Sequence, residues 1–322
     1  MLDGATTVSS ISLPASVKTI GVYAFEGTDW YHMQGNFVEP IPGLLYKYKG
    51  TDEEVIIPSS IKVVNEYAFV NRDTIDVSVW RGNRRVTKIT FAIGSEATEI
   101  RDNAFYDCIY LRDINLPETL RLIAPSALTN TGIRNDSNGM LIAYGDASAV
   151  LIKYNGTATS VEIPAVVTVI NAEAFKNNTT LTSVTVPENS SLKVIAESAF
   201  EGCTALANFN IPSSVVFIGK DAFRGTPWLG MQPEFIVENE RLFLYSGTEQ
   251  DVVIPAGITS IIGGAFASLT APNSVEITQY IEILDGAFDN VTVIYVPDED
   301  KEFYMDIWEE YASKIAGVSE KP

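Results

Sequence analysis

The chain has little of what most catalytic sites are built from. Its 322 residues include one histidine, His32, and two cysteines, Cys108 and Cys203. A single histidine rules out histidine-based metal clusters and argues against a Ser–His–Asp triad. Two cysteines cannot make a disulfide framework. No run of about 18 apolar residues occurs, so no segment reads as a transmembrane helix. The opening stretch MLDGATTVSS lacks the apolar core of a signal peptide.

Positive charge is also scarce. Lysine and arginine number 22 against 41 acids, a formal net charge of −19. Such a chain repels phosphate backbones and anionic lipid, so nucleic acid is not an expected partner. The one basic cluster, Arg81, Arg84, Arg85 and Lys88, reads as a solvated loop, with capture of an anion or an acidic partner as the alternative. Phosphate-binding glycine loops, nucleophile elbows and HExxH patterns are absent. Asp298-Glu299-Asp300 lacks the alternating spacing of a calcium loop and suits a helix N-terminus. No cofactor or metal is expected. The acids read as solvated surface rather than as paired catalytic carboxylates, although spacing alone leaves glycoside hydrolysis open.

What the chain has in abundance is repetition, the first thing to look for in a sequence of this length. An Ala-Phe pair recurs at Phe25, Phe69, Phe105, Phe175, Phe200, Phe223, Phe266 and Phe288, with a softened copy at Ala127-Leu128. Five residues before each stands Ile or Val: Ile20, Val64, Ile100, Ile123, Ile170, Ile195, Ile218, Ile261 and Ile283. Eleven residues before six of them stands a proline, as at Pro14, Pro117 and Pro212, preceded by an apolar–x–apolar triplet such as Ile114-Asn115-Leu116. The triplet puts two apolar side chains on one face of a short strand, and the proline ends that strand. Gly or Asn usually lies two residues past the Phe and closes the coil through a tight turn.

A coil of about 23 residues cannot bury its own apolar face and must stack on its neighbours. The expected fold is therefore an α/β repeat solenoid of short parallel strands, turns and short helical segments over residues 1–297, with nine closures. Three long intervals contain an extra strand element, near 43–54, 139–160 and 234–251. Each carries a Tyr-x-Gly-Thr motif (Tyr48-Lys49-Gly50-Thr51, Tyr154-Asn155-Gly156-Thr157, Tyr245-Ser246-Gly247-Thr248), with its glycine 19 residues before the next Phe. These elements read as a degenerate coil or as a hairpin with the following strand, their glycine as a turn. Trp30 and Trp228 read as core rather than as sugar-stacking platforms.

Residues 298–322 change character. Phe303, Tyr304, Ile307, Trp308, Tyr311 and Ile315 fall at helical spacing, which predicts an amphipathic capping helix. The first coil begins almost at once without a matching cap, as expected of a piece of a larger protein.

The pattern I-x-L-P-x-S-V-x-x-I-x-x-x-A-F-x-G-C resembles the BspA-like leucine-rich repeats of bacterial surface proteins. The clearest copies run from Ile11 to Thr28, Val184 to Cys203 and Phe209 to Thr226. The Leu-x-x-Tyr-x-Gly-Thr inserts and the tail from Val296 to Ile315 resemble that family too; the stretch 70–85, with its arginines, departs from it. The resemblance implies a right-handed solenoid, export by a signal peptide, adhesion to host matrix proteins or other bacteria, and no transferable active-site motif.

The repeat assigns the remaining residues. Cys108 and Cys203 lie three positions past a closing Phe, where other copies carry Thr28, Thr131, Thr226 or Asn178, so they are packing positions. With strands stacked about 4.8 Å apart they lie roughly 15–25 Å from one another, beyond disulfide reach. The outward residues of the triplets form one row, and Thr90, Asn115, Glu162, Thr185, Asn210 and Glu276 are the candidate ligand face. That row is small, polar and mildly acidic. It suits a protein partner, with carbohydrate as the alternative, on a non-catalytic monomer at the cell surface or outside the cell.

Overall fold

The computed structural model describes residues 7–14, 16–17, 19–72, 80–117, 119–120, 122–124, 126–145, 149–268 and 274–321. The chain divides into two compact units, Met1–Gly156 and Thr157–Pro322. Each is a stack of short-stranded coils.

In the first unit, strands Glu54–Ile57, Lys88–Phe91 and Asp113–Asn115 pair in parallel, with Ile56 opposite Thr90 and Thr90 opposite Asn115. Val55, Ile57, Ile89 and Ile114 point inward and are buried, while Ile56 is exposed and Thr90 and Asn115 half-buried. This is the period-two alternation that the triplets require. A second parallel ladder stacks Leu45 on Val64, Val64 on Ile100 and Ile100 on Ile123, all buried. Three of its rungs are the Ile/Val positions five residues before the closures.

The Ala-Phe corner supplies a third line of bonds. The Phe69 amide donates to the Ala104 carbonyl at 2.9 Å, and the Phe105 amide donates to Ala127 at 3.0 Å. The rings of Phe69 and Phe105 meet at a tilt of 46° with centroids 4.9 Å apart. Burying each such ring stabilises the stack by about 2–3 kcal/mol. The residue before the Ala takes a left-handed backbone conformation, as at Tyr67 (φ 53°) and Asn103 (φ 54°), and so does the residue two past the Phe, as at Asp107 (φ 58°). Both left-handed residues occur at the corners of Phe105, Phe175, Phe200 and Phe223, while the corners of Phe69, Phe266 and Phe288 have only the first.

The inserts stack like a coil on the chain that follows, and their hairpin is formed with the strand that precedes them, not with the following strand that the sequence suggests. Lys47–Tyr48 pairs antiparallel with the preceding strand Phe37–Val38, while Leu44–Leu45 pairs in parallel with the following Val63–Val64. Tyr48 takes the place of a closing Phe: its amide donates to the Ala68 carbonyl at 2.8 Å and its ring stacks on Phe69 at 5.0 Å. The second insert forms an antiparallel hairpin of Met140–Tyr144 with Ala149–Tyr154, and Tyr144 lies opposite Asn115 in parallel register.

In the second unit, Ser160–Glu162, Ser183–Thr185 and Asn208–Phe209 form a three-stranded parallel sheet. Val167–Ile170, Val194–Ile195 and Phe217–Ile218 stack alongside in parallel. The rings of Phe175, Phe200 and Phe223 follow one another at 4.8 and 5.3 Å. The third insert is a hairpin of Phe235–Glu238 with Arg241–Tyr245, turned by Asn239 (φ 50°) and Glu240 (φ 60°). Its second strand stacks in parallel on Ser260–Ile261, and the Tyr245 amide donates to Ala265 at 2.9 Å. Asp251–Val253, Ser274–Glu276, Val293–Val296 and Ile315–Gly317 make a further four-stranded parallel sheet.

The C-terminal segment is less helical than its spacing predicts. The α-helix stops at Ile307 after Lys301–Ile307, a 3-10 stretch follows, and Ile315 pairs with Ile294 as a strand. Trp308 and Tyr311 lie on the last closing Phe, with centroids 5.8 and 5.7 Å from Phe288. The apolar residues serve a coil-shaped cover, in which one extra strand satisfies the edge of the sheet.

Candidate functional site

Five of the six candidate face residues fall on three different sheets, and Asn210 lies just past a strand end. Thr90 and Asn115 are direct neighbours in the first unit. Glu162 and Thr185 are direct neighbours in the second unit, both exposed. Asn210 follows the strand Asn208–Phe209, and its amide is committed to the fold: Oδ1 accepts from the Val186 amide at 3.0 Å and Nδ2 donates to the Val186 carbonyl at 2.8 Å. The side chain thus imitates the two bonds of a neighbouring strand. Glu276 lies in the last sheet and accepts from Lys321 Nζ at 2.5 Å, and that cation also sits 5.2 Å from the Tyr295 ring centroid. Surface positions at Thr90, Glu162 and Thr185 remain available to a ligand.

The other singled-out residues resolve into packing or paired charge. Cys203 is buried and donates from Sγ to the Phe175 carbonyl at 3.0 Å. Cys108 is buried too, its Sγ 3.8 Å from the Phe69 carbonyl oxygen, and burial pushes its thiol up to about 12. Thr28, Thr131 and Thr226 occupy the same position and donate to the carbonyls of Phe25, Leu128 and Phe223. Trp30 and Trp228 are buried. His32 is exposed on the short helix Asp29–Met33. In the basic cluster, Arg84 reaches Asp107 at 2.8 Å and Lys88 reaches Asp113 at 3.3 Å. Residues 73–79, in the departing stretch, lie outside the described residues. No group of three or more His, Cys, Asp or Glu is placed to hold a metal among the described residues, and no helix among them is long and apolar enough to cross a membrane.

Two features have no clear sequence signal. The first is Lys47, fully buried beneath the first insert. Its Nζ donates to the Tyr67 and Val70 carbonyls at 2.9 and 2.6 Å and lies 3.5 Å from Glu26 Oε1. Burial lowers its pKa to about 8 despite the Glu26 carboxylate.

The second is a groove of about 570 Å³ in the second unit, beside the strand Asn208–Phe209. Its floor is aromatic: Phe209 and Trp228 meet edge to face at 5.6 Å, and Phe243 lies alongside them in the lining. The short helix Pro227–Gly230 places Trp228, with the Thr226 hydroxyl capping its N-terminus by accepting from the Leu229 amide. The hairpin residues Ile236–Glu238 form the opposite wall. Glu188 and Glu238 are exposed at the rim, and no lysine or arginine lines the groove. The Arg241 guanidinium lies at one end, 5.6 Å from the Phe243 ring centroid, and donates to the Ser213 carbonyl at 2.9 Å.

These coils, corners and inserts agree with a known repeat. The family model described as the BspA type leucine rich repeat region matches residues 3–91, 73–137, 152–229 and 238–303. Among solved structures, a leucine-rich repeat protein of T. pallidum is 24% identical, over 57% of this chain and 81% of that one, with a TM-score of 0.29. A leucine rich cell surface protein of Faecalibacterium prausnitzii is 20% identical over 79% and 71%, with a TM-score of 0.25. The pneumococcal vaccine antigen PcpA is 16% identical over 85% and 90%, with a TM-score of 0.24. No curated protein matches the chain. With matched segments spanning most of its length, the chain belongs to the BspA-type leucine-rich repeat family.

Proposed function

We propose that the protein is a non-catalytic scaffold at the cell surface or outside the cell, binding another protein in adhesion to a host matrix or to other bacteria. The observation that carries this reading is the division of labour within each coil. Inward positions such as Val161, Val184 and Ile89 are committed to the core, while their outward neighbours Glu162, Thr185 and Thr90 are small or acidic and face solvent or its margin. Stacked coils thereby repeat an adaptable polar surface on a rigid support, the arrangement by which solenoids bind extended partners. Membership of the BspA-type family supports the surface location.

The reading is tested by presenting the protein to immobilised matrix proteins and, in parallel, to a glycan array. A triple variant, Thr90→Arg, Glu162→Arg and Thr185→Arg, serves as control, chosen because none of the three is tied up as Asn210 is. Protein binding that falls at least tenfold in the variant supports the reading. Glycan binding alone, or turnover of a polysaccharide, overturns it.

A further inference from the structure

The two later inserts treat the neighbouring sheet differently. In the first unit, the hairpin strand Met140–Tyr144 sits beside Asp113–Asn115 and pairs with it in parallel. In the second unit, the corresponding hairpin strand Phe235–Glu238 pairs with Arg241–Tyr245 and not with Asn208–Phe209. The next triplet strand, Asp251–Val253, belongs to a separate sheet. Among the described residues, the sheet Ser160–Glu162, Ser183–Thr185, Asn208–Phe209 therefore ends on an open parallel edge, and the groove begins at Phe209 on that edge and follows the chain onward to Ser213.

We propose that this groove takes an extended, basic segment of a partner protein, which adds as the fourth strand of the sheet; the proposal rests on the protein-binding reading above and names its site. An open strand edge offers unpaired main-chain donors and acceptors, and strand addition is a recurrent way of satisfying them. The groove follows Phe209 to Ser213, but Pro212 has no N–H and the Pro212 and Ser213 carbonyls accept from Val215 and Arg241, so the main chain open to a guest is that of Phe209 to Ile211, about three residues long. Alternate side chains of a strand face opposite sides. One set meets the aromatic floor of Phe209, Trp228 and Phe243, and the other passes between the carboxylates of Glu188 and Glu238. The guest is thus a strand that alternates apolar and Lys or Arg side chains. With acids at both rims and the nearby Arg241 committed to the Ser213 carbonyl, a guest of the opposite charge pattern is disfavoured.

The experiment uses the full chain and three fluorescent pentapeptides: alternating lysine and valine, alternating glutamate and valine, and the lysine–valine peptide N-methylated on the residues whose amides face the edge. Anisotropy is expected to show saturable binding of the first peptide, weakened at least tenfold by Glu188→Lys with Glu238→Lys, and at least tenfold weaker binding of the other two. Both substituted positions are exposed, and an unchanged thermal midpoint shows that the variant is folded. Equal binding of the N-methylated peptide overturns strand addition, and equal binding of the glutamate peptide overturns the charge assignment. No binding of the lysine–valine peptide overturns the proposal. If the double variant loses the peptide yet keeps its matrix-protein binding, the scaffold reading stands and this groove is not its site. If the peptide binds and no protein partner is captured, the scaffold reading fails independently.

Discussion

A Cβ added to Gly247 would lie 2.3 Å from the Tyr245 hydroxyl oxygen. The same relation holds between Gly50 and Tyr48 at 2.3 Å, and between Gly156 and Tyr154 at 2.5 Å. None of these three glycines has a positive φ, so the motif needs a missing side chain rather than an unusual backbone. The tyrosine folds back over its glycine, and in the first insert its hydroxyl donates to Asp52 Oδ2 at 2.7 Å. Gly247→Ala is expected to cost about 1–3 kcal/mol, the usual range for overpacking. Gly230→Ala, with nothing within 4 Å of the added carbon, is the control and should change little. Urea midpoints of the two variants decide the matter; equal midpoints would show that the tyrosine yields freely.

The left-handed corners give a prediction of opposite sign. Glu173 holds φ 57° immediately before Ala174, where the last two coils carry Gly264 and Gly286 at φ 76° and 80°. A left-handed backbone costs an ordinary residue about 1–2 kcal/mol, and glycine gives back part of that through its looser unfolded chain. Glu173→Gly should therefore stabilise the protein by about 0.5–1 kcal/mol. A lower midpoint in calorimetry would mean that the exposed pair of Glu173 with Lys176 matters more than the backbone.

Lys47 predicts how stability varies with pH. Desolvation lowers its pKa to about 8 in the folded chain, against an ordinary 10.5. Between those values the unfolded chain binds the proton more tightly, so stability rises with pH across that window. Above pH 10 the trend reverses, because burial holds Tyr31 and Tyr46 above the ordinary tyrosine value of 10.0 and the unfolded chain loses those protons first. Lys47→Met should remove the rise and cost about 3–5 kcal/mol, since Glu26 is left buried without its cation. A flat profile between pH 8 and 10 in the unsubstituted protein contradicts the burial of a charge-bearing lysine.

The cysteines should be inert while the chain is folded. Cys108 is buried with its thiol pushed up to about 12, so at pH 8 it is almost wholly protonated, and Cys203 has no surface either. A thiol reagent is expected to modify neither in native protein and both in urea. Because threonine fills the same corner at Thr28, Thr131 and Thr226, Cys203→Thr should cost under about 1.5 kcal/mol. Rapid native labelling would place a thiol at the surface.

The ladder of Val64, Ile100 and Ile123 and the stacked Phe residues were readable because buried positions tolerate few residue types and recur at fixed spacing. Tyr67, Asn103, Glu173 and Asp221 were not, since a corner residue at the margin of the core shows no common side chain even though its backbone is fixed. Lysine at position 47 reads as solvent-facing by composition, and only the layer formed by Phe37–Val38 and the Tyr67–Val70 carbonyls encloses it. The candidate row was legible as alternation, but its division among separate sheets was not. That division depends on where a hairpin strand pairs, as does the groove. The helix read over Phe303 to Ile315 is present but ends at Ile307, for a related reason: apolar residues at three- and four-residue spacing can equally cover a coil end, with Ile315 needed as a strand.

The Tyr-for-Phe exchange at Tyr48 and Tyr245 also bears on how such chains change length. A short coil closed by tyrosine presents its neighbour with the same amide and the same ring as a full coil closed by phenylalanine. Joining the gene at one corner to another corner thus leaves no buried amide stranded at the seam. Coils become exchangeable cassettes, and the number of them can change while every junction stays chemically complete.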